Sequence, residues 1–241
     1  MSGITNFVIF CIFSSLNQHH VASLMLTLNI NIITGQPVLF DWQNNGNMDL
    51  IVGVGSQDGN ILFFTNTGSS TNPSFTKQTE NNNPFKGIDV GWFPSLIIVD
   101  LNDDGNVDMV VGSYGGSASG LTNLIYLKNS GNQNNLAFSQ PEANNNIPFV
   151  GINFLDEHGN AQSNISPMFV DLDDDGNIDA VVGTDPGGYN ENGELLLGEL
   201  LFFKNIGKKG NPIFEQLTDD LNPFFGIKLS KAKPALADLG K

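Results

Sequence analysis

Short apolar runs separated by polar turns dominate the hydrophobic pattern of this chain. In its first third, runs rich in β-branched and aromatic residues fall near residues 37–42, 48–54, 61–66 and 74–78, and Gly, Asn or Pro bounds each of them. Runs of this length, composition and punctuation are typical of β-strands. Outside about the first twenty residues, no segment has the 3.6-residue period of an amphipathic helix. The pattern therefore predicts an all-β fold whose first unit has four short strands.

One succession of motifs occurs three times, which predicts a repeat architecture. Each copy begins with a nine-residue Asp-rich motif, at residues 41–49, 100–108 and 171–179, and continues into an apolar run that ends in Val-Gly. A second apolar run ends in Asn-x-Gly, and a Phe in a short strand follows it. The asparagines are Asn66, Asn129 and Asn205, and the phenylalanines are Phe75, Phe138 and Phe214. A fourth copy starts at Asp238, so the first aspartates are 59, 71 and 67 residues apart.

Four antiparallel strands at a period of about 60 residues suit a β-propeller blade, whose two apolar faces are covered by neighbouring blades. We therefore expect an incomplete β-propeller of four-stranded antiparallel blades, with about three blades plus partial ends. Such an open arc exposes apolar faces on its first and last sheets and favours self-association. The predicted segments are a leader at 1–23, a strand of a partial preceding blade at 24–36, whole repeats at 37–93, 94–166 and 167–233, and a truncated fourth repeat at 234–241. The leader is either a secretory signal or the product of a mis-started reading frame.

The nine-residue motif has the oxygen ligands of a calcium loop. Oxygen-bearing side chains at positions 1, 3 and 5, a glycine at position 6 for a sharp turn and an aspartate at position 9 let one short loop surround a hard cation. The backbone carbonyl at position 7 adds a further oxygen. The predicted ligands are Asp100, Asn102, Asp104, Asn106 and Asp108 in the second loop, and Asp171, Asp173, Asp175, Asn177 and Asp179 in the third. The first loop has a weaker set, which comprises Asp41, Gln43, Asn45, Asn47 and Asp49.

Ligand charge is the main difference between the loops, so calcium affinity is expected to fall from the third to the second to the first. An EF-hand loop is the main rival interpretation, but it requires a bidentate Glu at position 12, where this chain has Val52, Val111 and Val182. Metal-free hairpin turns also use Asp-Gly and Asn-Gly. That alternative stays open, above all for the first loop, whose only carboxylates are Asp41 and Asp49.

The Asp-rich motifs and their flanking strands resemble the FG-GAP/VCBS-type repeats of integrin-alpha-like β-propellers. The resemblance spans residues 37–241 and is most specific in the Asp-x-[Asp/Asn]-x-Asp-Gly-x-[Ile/Val]-Asp-x-Val-Val-Gly of the second and third repeats. The family's Phe-Gly and Gly-Ala-Pro elements are replaced here by Trp92-Phe-Pro, Ile165-Ser-Pro and Lys233-Pro. The resemblance implies a seven-bladed ring with calcium in the blade hairpins and a role in extracellular binding or cell adhesion.

Composition agrees with an acidic extracellular or cell-surface module. The chain has 25 Asp and Glu against 10 Lys and no Arg, for a formal net charge of −15. Such a field repels phosphate backbones, which argues against nucleic-acid binding. Cys11 is the only cysteine, so no intrachain disulfide can form. The apolar run at 7–13 is too short to span a bilayer, and no transmembrane segment is predicted.

Residues suited to catalysis are few. The three histidines, His19, His20 and His158, cannot readily complete a Ser-His-Asp or zinc site, and calcium binding already accounts for nearly every clustered aspartate. We therefore predict a non-enzymatic binding or adhesion module for an unknown protein or glycan ligand. The propeller portion of a carbohydrate-active enzyme and a purely structural repeat spacer stay open as alternatives. Loops of unequal length between repeats are the expected binding surface, with Tyr114, Tyr189, Glu191 and Glu194 as candidate contacts.

Overall fold

The regular structure of this chain is almost entirely β-strand, as its hydrophobic pattern predicts. A computed structural model describes residues 37–54, 61–114, 123–132, 135–139, 148–149, 151–152, 154, 163–230 and 232–235. Within these residues there are twelve strands and two short 3-10 helices, Glu80–Asn82 and Asp219–Leu221. The predictions for 1–23, for 24–36 and for Asp238 lie outside the described residues. The strands form three antiparallel sheets.

Sheet one matches the four strands predicted for the first repeat. Its strands are β1 (Pro37–Phe40), β2 (Asp49–Gly53), β3 (Ile61–Asn66) and β4 (Phe75–Lys77), hydrogen-bonded in chain order. Each strand pairs with the next through a short connection, which gives an antiparallel meander. Every strand therefore lies within the run of β-branched and aromatic residues that predicts it.

Sheets two and three differ from the predicted four strands each. Sheet two has β5 (Ser95–Val99), β6 (Asp108–Gly112) and β7 (Leu124–Leu127) within the described residues. Sheet three has β8 (Ser166–Val170), β9 (Asp179–Gly183), β10 (Gly198–Asn205), β11 (Phe214–Leu217) and β12 (Lys228–Leu229). The fifth strand is accommodated because β10 has eight residues: its second half pairs with β11, and Gly198 and Glu199 pair with β12.

The apolar core lies between successive sheets. One cluster joins Ile51 and Phe63 of sheet one to Met109 and Leu127 of sheet two. A second cluster joins the opposite face of sheet two, with Val110 and Tyr126, to Ala180 and Phe203 of sheet three. Since successive side chains of a strand point to opposite faces, the middle strand β6 serves both clusters and is fully buried. This explains why the central strands have continuous apolar runs rather than alternating ones.

Close backbone approach also joins the sheets. A β-carbon on Gly112, the last residue of β6, would overlap the carbonyl oxygen of Ile165, just before β8. Gly183, at the end of β9, has the same relation to Ala232. The first strands of sheets two and three also meet, and the hydroxyls of Ser95 and Ser166 lie 3.2 Å apart. The glycine of each Val-Gly motif is therefore required where one repeat meets the next.

The meander places the connecting loops at two opposite ends of the sheets. Because neighbouring strands are antiparallel, the Asp-rich loops between first and second strands lie at the same end as the Asn-x-Gly turns between third and fourth strands. The connections from second to third strands lie at the other end. The links between sheets meet them there, as the hydrogen bonds from Tyr114 N to Trp92 O (2.7 Å) and from Asp185 N to Ser163 O (2.9 Å) show.

Candidate metal centre

The first aspartate of each Asp-rich loop holds the loop's backbone in a tight turn. In the third loop (171–179), the carboxylate of Asp171 accepts hydrogen bonds from the backbone N–H of Asp175 at 3.1 Å and of Gly176 at 2.8 Å. Asp41 makes the equivalent bonds in the first loop (41–49), and Asp100 makes them in the second (100–108). The three loops thus share one conformation, although only position 1, Gly at 6, Asn at 7 and Asp at 9 are identical among them.

Left-handed backbone at positions 4 and 6 explains two of the residue types in the motif. Position 6 is Gly46, Gly105 or Gly176, with φ of 83°, 83° and 87°. Position 4 is Asn44, Asp103 or Asp174, with φ of 50°, 54° and 61°. Among residues other than glycine, Asn and Asp tolerate this region best. The Asn or Asp at position 4 therefore serves the turn, a role that the calcium pattern does not reveal.

The aspartate at position 9 is buried and ties the loop to the rest of its sheet. Asp49, Asp108 and Asp179 are fully inaccessible to solvent. One carboxylate oxygen of each accepts the backbone N–H of the asparagine in Asn-x-Gly, at 2.7, 2.8 and 2.8 Å respectively. In sheet three, the side-chain oxygen of that asparagine, Asn205, accepts the N–H of Gly207 and of Ile213. The asparagine is thus a structural partner of the loop that sequence analysis marked only as a repeated residue.

Three carboxylates converge in the third loop. Asp171, Asp173 and Asp179 each offer an oxygen, and these oxygens all lie within 4.8 Å of one another. Calcium binds oxygen at 2.3–2.6 Å, so two oxygens on one ion lie no more than about 5 Å apart. Burial raises the pKa of Asp179, and its second oxygen accepts the N–H of Leu172 at 3.1 Å. The donor set therefore fits a calcium-sized cation.

A lysine already contacts the third loop. The Nζ of Lys204, on β10, contacts Asp173 Oδ2 and lies 3.6 Å from Asp175 Oδ2. This contact with Asp173 raises the pKa of Lys204, while the backbone N–H of Asn177 lowers the pKa of Asp175. The third loop thus attracts positive charge through two of its predicted ligands, Asp173 and Asp175, and Asp173 is also one of the three converging carboxylates.

The second loop has a different arrangement around its buried aspartate. Asp108 Oδ2 accepts hydrogen bonds from the hydroxyl of Tyr126 at 2.6 Å and from the side-chain nitrogen of Asn102 at 2.8 Å. Burial raises the pKa of both Asp108 and Tyr126, so the tyrosine stays a protonated donor. Lys128 lies 3.8 Å from Asp104, and Lys209 of sheet three lies 3.1 Å from Asp103. The predicted ligand Asn102 therefore directs a donor, not an oxygen, at Asp108.

The first loop has fewer charges and one unsatisfied oxygen. Gln43 Oε1 accepts a hydrogen bond from the side chain of Asn45 at 3.1 Å, and Asn45 Oδ1 accepts the N–H of Asn47 at 2.9 Å. Asp49 Oδ2 is buried and has no hydrogen-bond partner among the described residues. Burial raises the pKa of Asp49. An orphaned buried carboxylate oxygen is a site where a cation or a water molecule would satisfy the group.

The candidate contact residues lie away from the Asp-rich loops. Tyr114 follows β6 at the opposite end of the sheets and stacks on Trp92 with ring centroids 6.2 Å apart. Tyr189 is 70% exposed, in the connection between β9 and β10. In the same connection the side chain of Asn190 donates to Glu194 at 2.7 Å. These residues therefore belong to the end where the connections vary in length.

Comparison with models of protein families, with curated proteins and with solved structures finds no match to this chain. The described residues also contain no helix with the length and apolar character needed to cross a bilayer. The function is therefore inferred from the geometry of the loops and the arrangement of the sheets.

Proposed function

We propose that this chain is a calcium-binding segment of a β-propeller of the FG-GAP/VCBS type, acting as a non-enzymatic binding or adhesion module outside the cell. Three repeated sheets packed face to face, each with an Asp-rich loop between its first two strands, support the propeller interpretation. The first strands β1, β5 and β8 lie next to one another in succession, as the inner strands of adjacent blades do.

The observation that carries the calcium proposal is the convergence of Asp171, Asp173 and Asp179. With Asp175 and the backbone carbonyl of Asn177, these residues supply the hard oxygen donors that calcium prefers. A bound ion would neutralise the clustered carboxylates. It would also join the two ends of the hairpin loop between β8 and β9. For the first and second loops, calcium binding stays a prediction.

The binding role is supported by the separation of the two ends of the sheets. The Asp-rich end carries one turn conformation three times, whereas the opposite end carries connections of unequal length and the exposed Tyr114 and Tyr189. A constant scaffold with variable loops is the usual basis of binding specificity. A protein and glycan array probed with the chain would identify the ligand class, and specific turnover of a glycan would contradict the non-enzymatic role.

Calorimetric titration of calcium into the calcium-depleted protein tests the metal site directly. We expect a dissociation constant of about 10⁻⁴–10⁻³ M, as in extracellular modules. At a Kd of about 10⁻⁴ M and free calcium of about 1 mM, the ion adds roughly 1.4 kcal/mol to folding. Asp171→Asn is expected to reduce both the heat and the calcium-dependent rise in melting temperature. The proposal would be refuted if titration of calcium into the unaltered chain produced no heat and no change in melting temperature.

A further inference from the structure

Tyr126 occupies a strand position where the other two repeats have phenylalanine. Its equivalents are Phe63 on β3 and Phe202 on β10, and all three side chains are buried. Tyr126 adds one hydroxyl to this position, and that hydroxyl donates to Asp108 Oδ2 at 2.6 Å. The difference between the repeats is therefore a single buried donor aimed at the position-9 carboxylate.

Asn102 adds a second donor to the same oxygen. Its side-chain nitrogen lies 2.8 Å from Asp108 Oδ2 and 3.0 Å from the hydroxyl oxygen of Tyr126. The third loop has Asp173 at this position, which offers an oxygen to the converging group of carboxylates. A carboxylate oxygen accepts about two hydrogen bonds, so Tyr126 and Asn102 use the capacity of Oδ2. Asp108 Oδ1 already accepts the N–H of Asn129.

Two lysines also lie beside the second loop. Lys209, on the turn between β10 and β11, lies 3.1 Å from Asp103. Lys128, which directly follows β7, lies 3.8 Å from Asp104. A divalent ion would have to displace two neutral donors and compete with two ammonium groups. A lysine also contacts the third loop, so the second loop differs from the third mainly in the two donors on Asp108 Oδ2.

We propose that Tyr126 and Asn102 take the place of the calcium ion in the second loop. This loop is closed by the protein's own hydrogen bonds, and it binds calcium more weakly than its three carboxylates alone would indicate. The inference rests on the proposed function only in taking the third loop as the calcium-binding reference. It predicts a larger difference in affinity between the third and the second loop than their numbers of carboxylates alone would give, because two donors occupy Asp108 Oδ2.

Reciprocal exchange of two residues between the loops tests this inference. Asn102→Asp with Tyr126→Phe gives the second loop the residues of the third, and calorimetry is expected to find one more equivalent of calcium than in the unaltered chain. Asp173→Asn with Phe202→Tyr gives the third loop the residues of the second, and one equivalent is expected to be lost. An unchanged stoichiometry in the first exchange, with a cooperative melting transition retained, would overturn the inference. If the first exchange does not fold, retention of calcium by the second exchange overturns it instead.

A calcium-free measurement separates this inference from the proposed function. In calcium-depleted buffer, Tyr126→Phe is expected to lower the melting temperature by a few degrees, because Asp108 loses a charge-assisted hydrogen bond. Tyr189→Phe, at an exposed position, is the matched control and is expected to leave it unchanged. If the unaltered chain binds no calcium but Tyr126→Phe still lowers the melting temperature, the proposed function is refuted and the inference is not. An unaltered chain whose second loop binds calcium as tightly as its third refutes the inference and leaves the proposed function intact.

Discussion

At the scale of single residues, the pKa of each position-9 aspartate is subject to two opposing effects. Asp49, Asp108 and Asp179 each accept a backbone N–H from the asparagine at or just after the end of the third strand of their sheet, which favours the ionised carboxylate. Each is also fully buried, and burial, the larger effect, raises its pKa above the ordinary value of 3.8. A nearby cation would remove this conflict, since it favours the charged form.

Raised pKa values predict a particular pH dependence for the calcium-free protein. A carboxyl group whose pKa is higher in the folded state binds more protons there, so its protonation favours folding. Stability of the calcium-free chain is therefore expected to rise as pH falls from 7 towards the window just above 3.8, and to be lost as pH rises through the folded pKa values of Asp49, Asp108 and Asp179. Asp175, whose pKa is lowered, acts in the opposite direction only below 3.8.

Melting curves at pH 7 and at mildly acidic pH, recorded with and without calcium, measure this effect. Calcium requires ionised ligands, so the rise in melting temperature that it produces is expected to shrink as pH falls. A calcium-free chain that loses stability between neutral and mildly acidic pH would contradict the assignment. A calcium effect independent of pH would contradict it as well.

The asparagine of Asn-x-Gly is a second residue with a large expected effect. The side-chain oxygen of Asn205 accepts the N–H of Gly207 at 3.0 Å and of Ile213 at 3.1 Å, and the side-chain nitrogen donates to Ile178 O. Asn205→Ala leaves these partly buried groups unpaired and is expected to reduce the free energy of unfolding by about 2 kcal/mol. Urea denaturation measures the change, and Asn211→Ala, at an exposed position of the same turn, is the control. Equal effects of the two substitutions would refute this role.

At the scale of the elements, the hairpins follow from the sequence because their strands are short, apolar and clearly bounded. All four strands of sheet one lie where the residue pattern places them. β12 could not be predicted, since Lys228–Leu229 is short and exposed, and it forms only because β10 extends beyond the strands beside it. Secondary structure that depends on a neighbouring strand's length leaves no local signal.

The turns of the Asp-rich loops could be predicted because their signals are local. The contacts that distinguish one loop from another could not. Alternating oxygen-bearing side chains and Gly at position 6 mark all three turns. Which loop gathers its carboxylates depends on residues distant in sequence: Tyr126 is 18 positions from Asp108, and Lys204 is 31 from Asp173. Two signals in the sequence point to the second loop: a phenylalanine replaced by tyrosine on a repeated strand, and Asn102 where the third loop has Asp173.

In the third hairpin, Lys204 is the residue that would compete with a bound calcium ion. Its ammonium group contacts Asp173, so an ion bound at the proposed site would have to displace it. Lys204→Gln is expected to raise calcium affinity of the third loop about a few-fold, a modest change because exposed ion pairs are weak. Calorimetry measures the affinity, and Lys128→Gln, beside the second loop, is the control. A weaker affinity after Lys204→Gln would show that the lysine supports the site rather than competing for it.

At the scale of the whole molecule, the sheets stack through apolar faces and glycine contacts that recur between repeats. Phe85 lies in the core between sheets one and two, and Phe149 lies in the core between sheets two and three. Phe224 is their equivalent in the third repeat and contacts Phe202 edge to face at 6.4 Å. Near it, Leu221, Phe225, Ile227 and Leu229 are exposed.

This strip of exposed apolar side chains predicts concentration-dependent self-association of the chain. Contiguous apolar surface on a folded protein favours contact with another copy. Phe225→Ser with Ile227→Ser is expected to lower the apparent mass at high concentration, and sedimentation velocity measures it. Leu195→Ser, at an exposed position in the connection between β9 and β10, is the control. A chain that stays monomeric at every concentration would contradict the prediction.

The position-9 aspartate and its asparagine partner also determine how the chain responds to mechanical load. Within each sheet, strands are joined by hydrogen-bond ladders, and Asp108 and Asn129 add a buried connection between second and third strands. Between sheets, the core contacts are mainly apolar. We therefore expect a tethered chain under tension to separate sheet from sheet before any one sheet unravels, which single-molecule force measurements would record as discrete steps in length.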